Sequence, residues 1–445
     1  MKKLLSILLA VLIIMSFATF TASAEEVVLK FSGWGDANEK AVVQNILDTF
    51  TAETGIKVEY MYIPEDYMTK LTAMAASGEL PDVGYMPEGN VIQWSNEGML
   101  KDLTSMYELP NYQEKMDTNK FFDKDGNLCG ISMAVETYCL YFNPTYFDAM
   151  GIEYPPSNYA NAWTWDEFVN VCRKLTVDVN GLHPDEEGFD PTNIKTYAVK
   201  LGKGMETIEI FSRSNGGGIY SDDFSELTLD RPENIEAIQR IADLMNVEHV
   251  MLTPDAAANS MDMASCFLSN SVAMVFDGQW SHLSMSIAAE EDGITYDVAA
   301  LPSMGTPTTG NTGGPCVVFN TTQYPEEAVL LCSYILDTDF VMSFINNGLW
   351  QPINEAWYTD EALQEQWLTE GVHTAGYKDA IIDATMNYMV PTGYFKVGCW
   401  QQLVDVITPA LDPVWLGDAT AEEAIDSIKD AAQDVWDEYQ AKYGG

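Results

Sequence analysis

The sequence predicts an α/β fold built on a parallel sheet. Three observations carry this prediction. Short apolar strands alternate with helical patterns between residues 27 and 86, helical patterns there end on a glycine, and a 47% hydrophobic content is ample for a large core. Val27 to Phe31 forms the first apolar run. After the loop Ser32–Asn38, Val42, Val43, Ile46, Leu47 and Phe50 fall on one helix face, and Gly55 stands where a left-handed C-cap belongs. Lys57 to Ile63 is a second strand. Tyr67, Leu71 and Met74 space as a helix face stopped by Gly78, and Pro81 precedes a third strand, Asp82 to Met86. In such sheets ligands lie beyond the carboxyl ends of the strands. This directs attention to the loops Trp34–Asp36, Pro64–Asp66 and Tyr85–Asn90.

Further along, Asp123 to Asn127 is a turn leading into two apolar runs, Cys129–Val135 and Tyr138–Phe142. Trp165 to Leu175 reads as a helix with Thr164 as N-cap. Ile208 to Phe211 leads into the flexible turn Asn215–Gly218. Glu233 to Val247 is an amphipathic helix, and Ala273–Phe276 is a buried strand ending at Asp277-Gly278-Gln279-Trp280. Met304 to Gly314, rich in Gly, Thr and Pro, reads as a connection. Pro325 to Leu336 fits a helix with Pro at its first position. The last helix runs from Ala421 to Gln440, with Thr420 and Glu423 as its capping box.

The first residues address the chain outward. Lys2 and Lys3 precede an apolar run from Leu4 to Met15, and Ala22-Ser23-Ala24 has the small-residue pattern of a signal peptidase site. Cleavage after Ala24 leaves 421 residues, enough for two or three domains or two lobes. No cysteine near that site offers a lipid anchor. The expected location is extracytoplasmic, in the periplasm or at the outer face of the cytoplasmic membrane.

The formal charge is −45, from 67 acidic and 22 basic side chains. Such a surface repels nucleic acid and anionic lipid. The seven cysteines (Cys129, Cys139, Cys172, Cys266, Cys316, Cys332 and Cys399) include no CxxC spacing. They read as buried thiols, with oxidation of one pair left open. The four histidines, His183, His249, His282 and His373, are too scattered for a paired metal motif. Neither a nucleophile elbow nor a phosphate-binding glycine loop is present, and no carboxylate pair is singled out for hydrolysis. The chain is expected to be no enzyme and to need no cofactor or metal. Asp178-Val179-Asn180-Gly181 begins like a calcium loop, but Leu182 breaks the alternation of oxygen ligands, so an Asx-turn is expected.

Aromatic residues make up 11% of the chain. Trp34, Tyr62, Tyr85, Tyr138, Trp280, Trp350, Tyr394 and Trp400 fall at or beside strand ends and turns, and the same stretches supply Asp36, Glu88, Asn90, Glu136, Asp277 and Gln279. Flat rings with nearby hydrogen-bonding groups suit a sugar, whose C–H faces stack and whose hydroxyls need partners.

Several segments, in order, resemble one family. They are FSGWGDANEKAVVQNILDTFTAETGIKVEY, MAASGELPDVGYMPEGNVIQWSNEGMLKDLT, DGNLCGISMAVETYCLYFNPTYFDAMGI, SNGGGIYSDDFSELTLDRPENIEAIQ, AMVFDGQW, ALPSMG, YPEEAVLLCSYIL and GDATAEEAIDSIKDAAQDVWDEY. They are similar to family 1 of the extracellular solute-binding proteins of ABC transporters, the sugar-binding, maltose-binding-protein-like group. The resemblance covers nearly all of the chain after the signal segment. It implies a periplasmic binding protein-like fold: two α/β lobes joined by a hinge, with a ligand cleft between them. The expected lobes are residues 25–137 with 303–347, and residues 138–302 with 348–445.

The resemblance implies ligand contacts at Trp34 and Asp36 after the first strand, Tyr85 and Glu88 after the third, and Glu136 near the hinge. Asp277, Trp280, Gly313, Gly314, Trp350, Tyr394 and Trp400 complete the expected site. It also implies a monomer that captures a carbohydrate, here expected to be an oligosaccharide, by lobe closure and delivers it to ABC permease subunits. Two alternatives stand beside this reading: the same fold binding a polyamine, peptide or metal complex, and a secreted carbohydrate-active enzyme or lectin.

Overall fold

The alternation near the N-terminus folds as its spacing dictates. The computed structural model describes residues 26–109 and 112–443, so the expected signal segment and its cleavage site lie outside the described residues. Strand β1 (Val28–Gly33) leads to helix α1 (Ala37–Thr54), followed by β2 (Lys57–Tyr62), α2 (Tyr67–Ser77), β3 (Val83–Tyr85) and α3 (Glu88–Asn96). The Asp36 carboxylate starts α1 by accepting the N–H groups of Asn38 and Glu39, both at 2.8 Å. Gly55 and Gly78 close α1 and α2 at φ 77° and 72°, where a side chain would be strained. Strand β1 pairs in parallel with both β2 and β3.

The chain then adds β4 (Lys120–Phe122) and β5 (Leu128–Ser132), and leaves for a second sheet. That sheet contains β6 (Glu136–Phe142), β7 (Val177–Asp178), β8 (Ile194–Lys200), β9 (Val272–Gly278) and β10 (Asp297–Ala299). Strand β11 (Asn311–Thr312) pairs with β6, and β12 (Pro315–Val318) returns to the first sheet. The strand orders are β2-β1-β3-β12-β5-β4 and β10-β6-β9-β8-β7. The chain therefore passes between sheets at residues 132–136 and again at 312–315. The second passage lies later than the expected boundary at 303. Tyr138 N–H donates to Gly310 (3.0 Å) and Thr309 Oγ1 donates to Tyr138 (2.7 Å), which keeps this stretch with the second sheet.

Helices α4 (Trp165–Leu175), α5 (Met205–Ser214), α6 (Pro232–Asn246), α7 (Met263–Ser269), α8 (Ser281–Asp292) and α9 (Pro325–Ile335) complete the two layered units. Thr164 and Glu167 form a reciprocal capping box on α4. The expected turn after Ile208–Phe211 is preceded by a full helix, α5, because most of its side chains are buried. Helix α10 (Trp400–Leu416) went unread, since Pro409 and Pro413 stand inside it. Its buried Leu403, Ile407, Leu411 and Val414 outweigh the lost backbone donors. Helix α11 (Ala421–Tyr443) packs against it.

All seven cysteines are buried free thiols. The 178–193 loop is organised by Asp178, which is fully buried. It accepts the N–H groups of Asn180 (2.8 Å), Leu182 (2.9 Å) and Asp190 (3.0 Å), the Asx-type arrangement expected. Among the described residues no helix is long and apolar enough to cross a membrane.

Gly89, in the first turn of α3, touches the Trp400 ring so closely that an added Cβ would lie 2.2 Å from Cδ1. Gly89→Ala is expected to lower stability by about 1–3 kcal/mol through overpacking, despite alanine's better helix propensity. A urea unfolding midpoint equal to wild type would show that Trp400 can move aside.

Candidate functional site

The ends of β1, β3, β6 and β9 converge on a cleft of about 760 Å³ between the two sheets. The first sheet contributes Trp34, Asp36, Glu39, Tyr85 and Glu88. The second contributes Glu136, Lys200, Asp277 and Trp280, and the passages between them add Met133, Gly313 and Gly314. Ten of the twelve expected site residues line this space: Trp34, Asp36, Tyr85, Glu88, Glu136, Asp277, Trp280, Gly313, Gly314 and Trp350.

Tyr394 and Trp400 do not line it. Both are only 5% exposed. The Tyr394 hydroxyl donates to the Asn311 carbonyl, and its ring meets Trp400 edge-on with centroids 5.3 Å apart. They fill the space behind the crossing strands, against Gly89 and Tyr220. Of the other aromatics read from the sequence, Tyr62 bonds to the Gly35 carbonyl (2.8 Å), and Tyr138 supports Trp280 edge-on at 5.6 Å.

Four carboxylates of the cleft hold structure together. Asp36 caps α1 with one oxygen, and its other oxygen accepts the Ser284 hydroxyl of α8 at 3.0 Å. This hydrogen bond spans the cleft mouth, linking the first-sheet unit to the second. Glu88 accepts the hydroxyl of Thr312 and the N–H groups of Gly313 (2.9 Å) and Gly314 (3.0 Å) on one oxygen. Asp277 accepts Gly278 N–H (2.9 Å) and Ser281 Oγ (2.8 Å), and Asp262 caps α7 through Ser265.

The two remaining carboxylates, Glu39 and Glu136, make no hydrogen bond to the described residues. Burial, with the Asp36 charge adding, pushes the Glu39 carboxyl up to about 7. Burial first, then Glu39, Glu88 and Asp277, raises Glu136 well above the ordinary carboxylate range. Glu39 was missed by the sequence reading, although it stands three residues past Asp36. Its side chain folds over Gly35, where a Cβ would lie 2.1 Å from Oε2.

The walls are aromatic. Trp34 meets Tyr67 and Tyr85 edge-on, each at 4.9 Å. Trp350 stacks on Phe344 at 4.2 Å and 12°. The Trp280 ring overlies Gly278, whose missing side chain gives it room. Flat rings around a few polar groups form a concave small-molecule site. Among the described residues no group of three metal-ligating side chains comes together.

A fold with two sheets, a chain that passes repeatedly between them and a cleft at their junction defines a ligand-capturing protein. The chain belongs to the bacterial extracellular solute-binding protein family, whose profile matches residues 45–371. A binding protein of Brucella abortus is 22% identical over 96% of each chain. Among solved structures, it is similar to an ABC substrate-binding protein of Listeria monocytogenes, in complex with cycloalternan. That likeness has a TM-score of 0.77, 21% identity and coverage of 93% of this chain and 99% of that one. The maltose/maltodextrin-binding domain of Bdellovibrio bacteriovorus, bound to maltotriose, matches with a TM-score of 0.72, 18% identity and 92% and 99% coverage. A solute-binding protein of Thermotoga lettingae bound with α-D-tagatose matches with a TM-score of 0.73, 21% identity and the same coverage. At these identities the likeness establishes the two-lobe fold.

The Glu39 shift has a signed consequence for stability. Its folded-state value lies above its unfolded one, so the group stabilises fully below about pH 4.5, and that contribution is lost as pH rises through about 7. Glu39→Gln, neutral at every pH, is expected to raise stability at pH 8 by about 1–3 kcal/mol, with the difference vanishing near pH 4.5. Melting curves of both proteins at several pH values check this; a pH-independent difference would mean the carboxyl is solvated.

Proposed function

We propose that this protein is the carbohydrate-capturing subunit of an ABC importer, binding an oligosaccharide in the cleft by closure of two lobes and delivering it to membrane permease subunits. The reading rests chiefly on the cleft itself: aromatic faces from both sheets enclose a space that also presents unpaired carboxylate oxygens. Sugar rings offer apolar C–H faces to the aromatics and hydroxyl donors to the carboxylates. The carbohydrate ligands of the Listeria and Bdellovibrio structures support the same class. The cleft volume of about 760 Å³ has room for more than one sugar ring, which supports an oligosaccharide.

In this reading Trp34 and Trp280 supply stacking surface, backed by the buried Tyr85 and Trp350, and Glu39 and Glu136 accept hydrogen bonds from the ligand. The lobes are the units built on the two sheets, and the hinge comprises the passages at 132–136 and 312–315, with a further passage near Gln351. Ligand favours the closed form only through its higher affinity for that form. The protein acts outside the cytoplasm as a monomer, after removal of the segment preceding Glu25, and performs no chemistry on its ligand.

A thermal-shift screen against mono- and oligosaccharides tests the class, since a ligand that binds only the folded state raises the melting temperature. Trp280→Ala is expected to weaken binding of the best saccharide by about 1–3 kcal/mol in titration calorimetry, the scale of a lost buried aromatic contact. Unchanged affinity would remove Trp280 from the site, and shifts confined to peptides would overturn the carbohydrate class.

A further inference from the structure

The cleft gathers more carboxyl groups than a neutral sugar can use. Its acids come from six places around it: Asp36 after β1, Glu39 on α1, Glu88 on α3, Glu136 on β6, Asp262 before α7 and Asp277 on β9. Lys200 is the one basic side chain in the lining among the described residues. It donates to Ser260 at 3.1 Å, and its charge acts on Asp277. Four of the six acids already accept hydrogen bonds from the protein, as described above. Glu39 and Glu136 do not, and the Glu39 charge adds to the cost of ionising Glu136.

A second, independent feature stands at the same place. The Tyr85 side chain is 2% exposed and lines the cleft, yet its hydroxyl has no partner among the described residues. It lies within the electrostatic field of both Glu39 and Glu136. Trp34 packs edge-on to Tyr85 in the same corner. The corner thus presents two carboxyl groups without donors, an unsatisfied hydroxyl and aromatic rings. An ammonium group has three donors and a positive charge, and aromatic rings attract it as well. A neutral hydroxyl would satisfy one oxygen, whereas a cation also offsets the charge that ionising the carboxyls places there.

We propose that the captured saccharide carries a protonated amine, and that this amine is held between Glu39 and Glu136 beside the Tyr85 hydroxyl. The inference rests on the carbohydrate reading of the cleft and narrows it to aminated sugars. Since burial favours the protonated form of both carboxyls and a neighbouring cation favours the ionised form, an ammonium group drives protons off them as it binds. Binding therefore releases protons and weakens as pH falls.

The test compares three β-1,4-linked trisaccharides of equal length, made of glucosamine, N-acetylglucosamine or glucose, together with spermidine as an amine without a sugar. Titration calorimetry at pH 7 in buffers of different ionisation enthalpy reads affinity and protons released together. The glucosamine trimer is expected to bind at least about tenfold tighter than either neutral trimer, with net proton release. Glu39→Gln and Glu136→Gln are each expected to weaken it about tenfold or more, and to weaken any neutral sugar by a smaller factor, since each loses only a hydrogen-bond acceptor there. Melting temperatures of the unliganded variants confirm that they fold. Neutral trimers binding as tightly as the aminated one would overturn the amine and leave the carbohydrate reading standing. Binding of spermidine with no saccharide bound would keep the amine between the two carboxylates and overturn the carbohydrate reading. No binding of any aminated compound would overturn the inference.

Discussion

The grip of Glu88 on the crossing strands is the constraint on which the cleft depends. One carboxylate oxygen, at the first residue of α3, accepts the hydroxyl of Thr312 and the N–H groups of Gly313 and Gly314. The Met133 and Ala134 N–H groups donate in turn to the Gly313 carbonyl, at 3.0 and 3.2 Å. The passages at 132–136 and 312–315 thus form one hydrogen-bonded pair anchored to the first sheet. Gly313 approaches so closely that a Cβ would lie 2.0 Å from the Ala134 carbonyl oxygen. A side chain there would separate the strands that join the two units. Tyr394 and Trp400 fill the space behind this pair, which explains why they are buried although their sequence neighbourhood suggested a ligand site.

The acids of the cleft fall into two kinds. Asp36, Glu88, Asp262 and Asp277 are held by backbone or hydroxyl donors, and they fix loops, helix starts and the contact between units. Glu39 and Glu136 are left without donors in a partly buried, acid-rich corner. Carboxylates in that condition are costly to ionise, and the cost is relieved by a ligand that brings donors or positive charge. Binding energy is thereby concentrated where the protein alone is least satisfied.

Asp36 illustrates how a residue can be read in the right place for a different role. Its position after the first strand pointed to the cleft, and it does line the cleft. Its oxygens, however, cap α1 and reach Ser284 across the mouth, so it belongs to the machinery that relates the two units. The partner 248 residues away in sequence could not be read from any local pattern.

Local chemistry in the sequence determined much of this protein. The glycines after α1 and α2, the Thr164 and Thr420 caps and the strand-helix alternation are written in neighbouring residues, because their hydrogen bonds close within a few positions. The loops after β1 and β3 were legible as site positions for the same reason: in a parallel sheet the strand direction fixes which ends face a ligand. Helix α10 was not legible, since its prolines argue against a helix and tertiary packing against α11, α6 and α3 outweighs them. Nor was the division among the carboxylates. Which acid finds a donor depends on residues brought from distant strands, and burial, which sets the charge state of Glu39 and Glu136, exists only once the two sheets meet. The sequence by itself determined the elements and their order; the tertiary structure alone decided which side chains hold the fold and which remain free to hold a ligand.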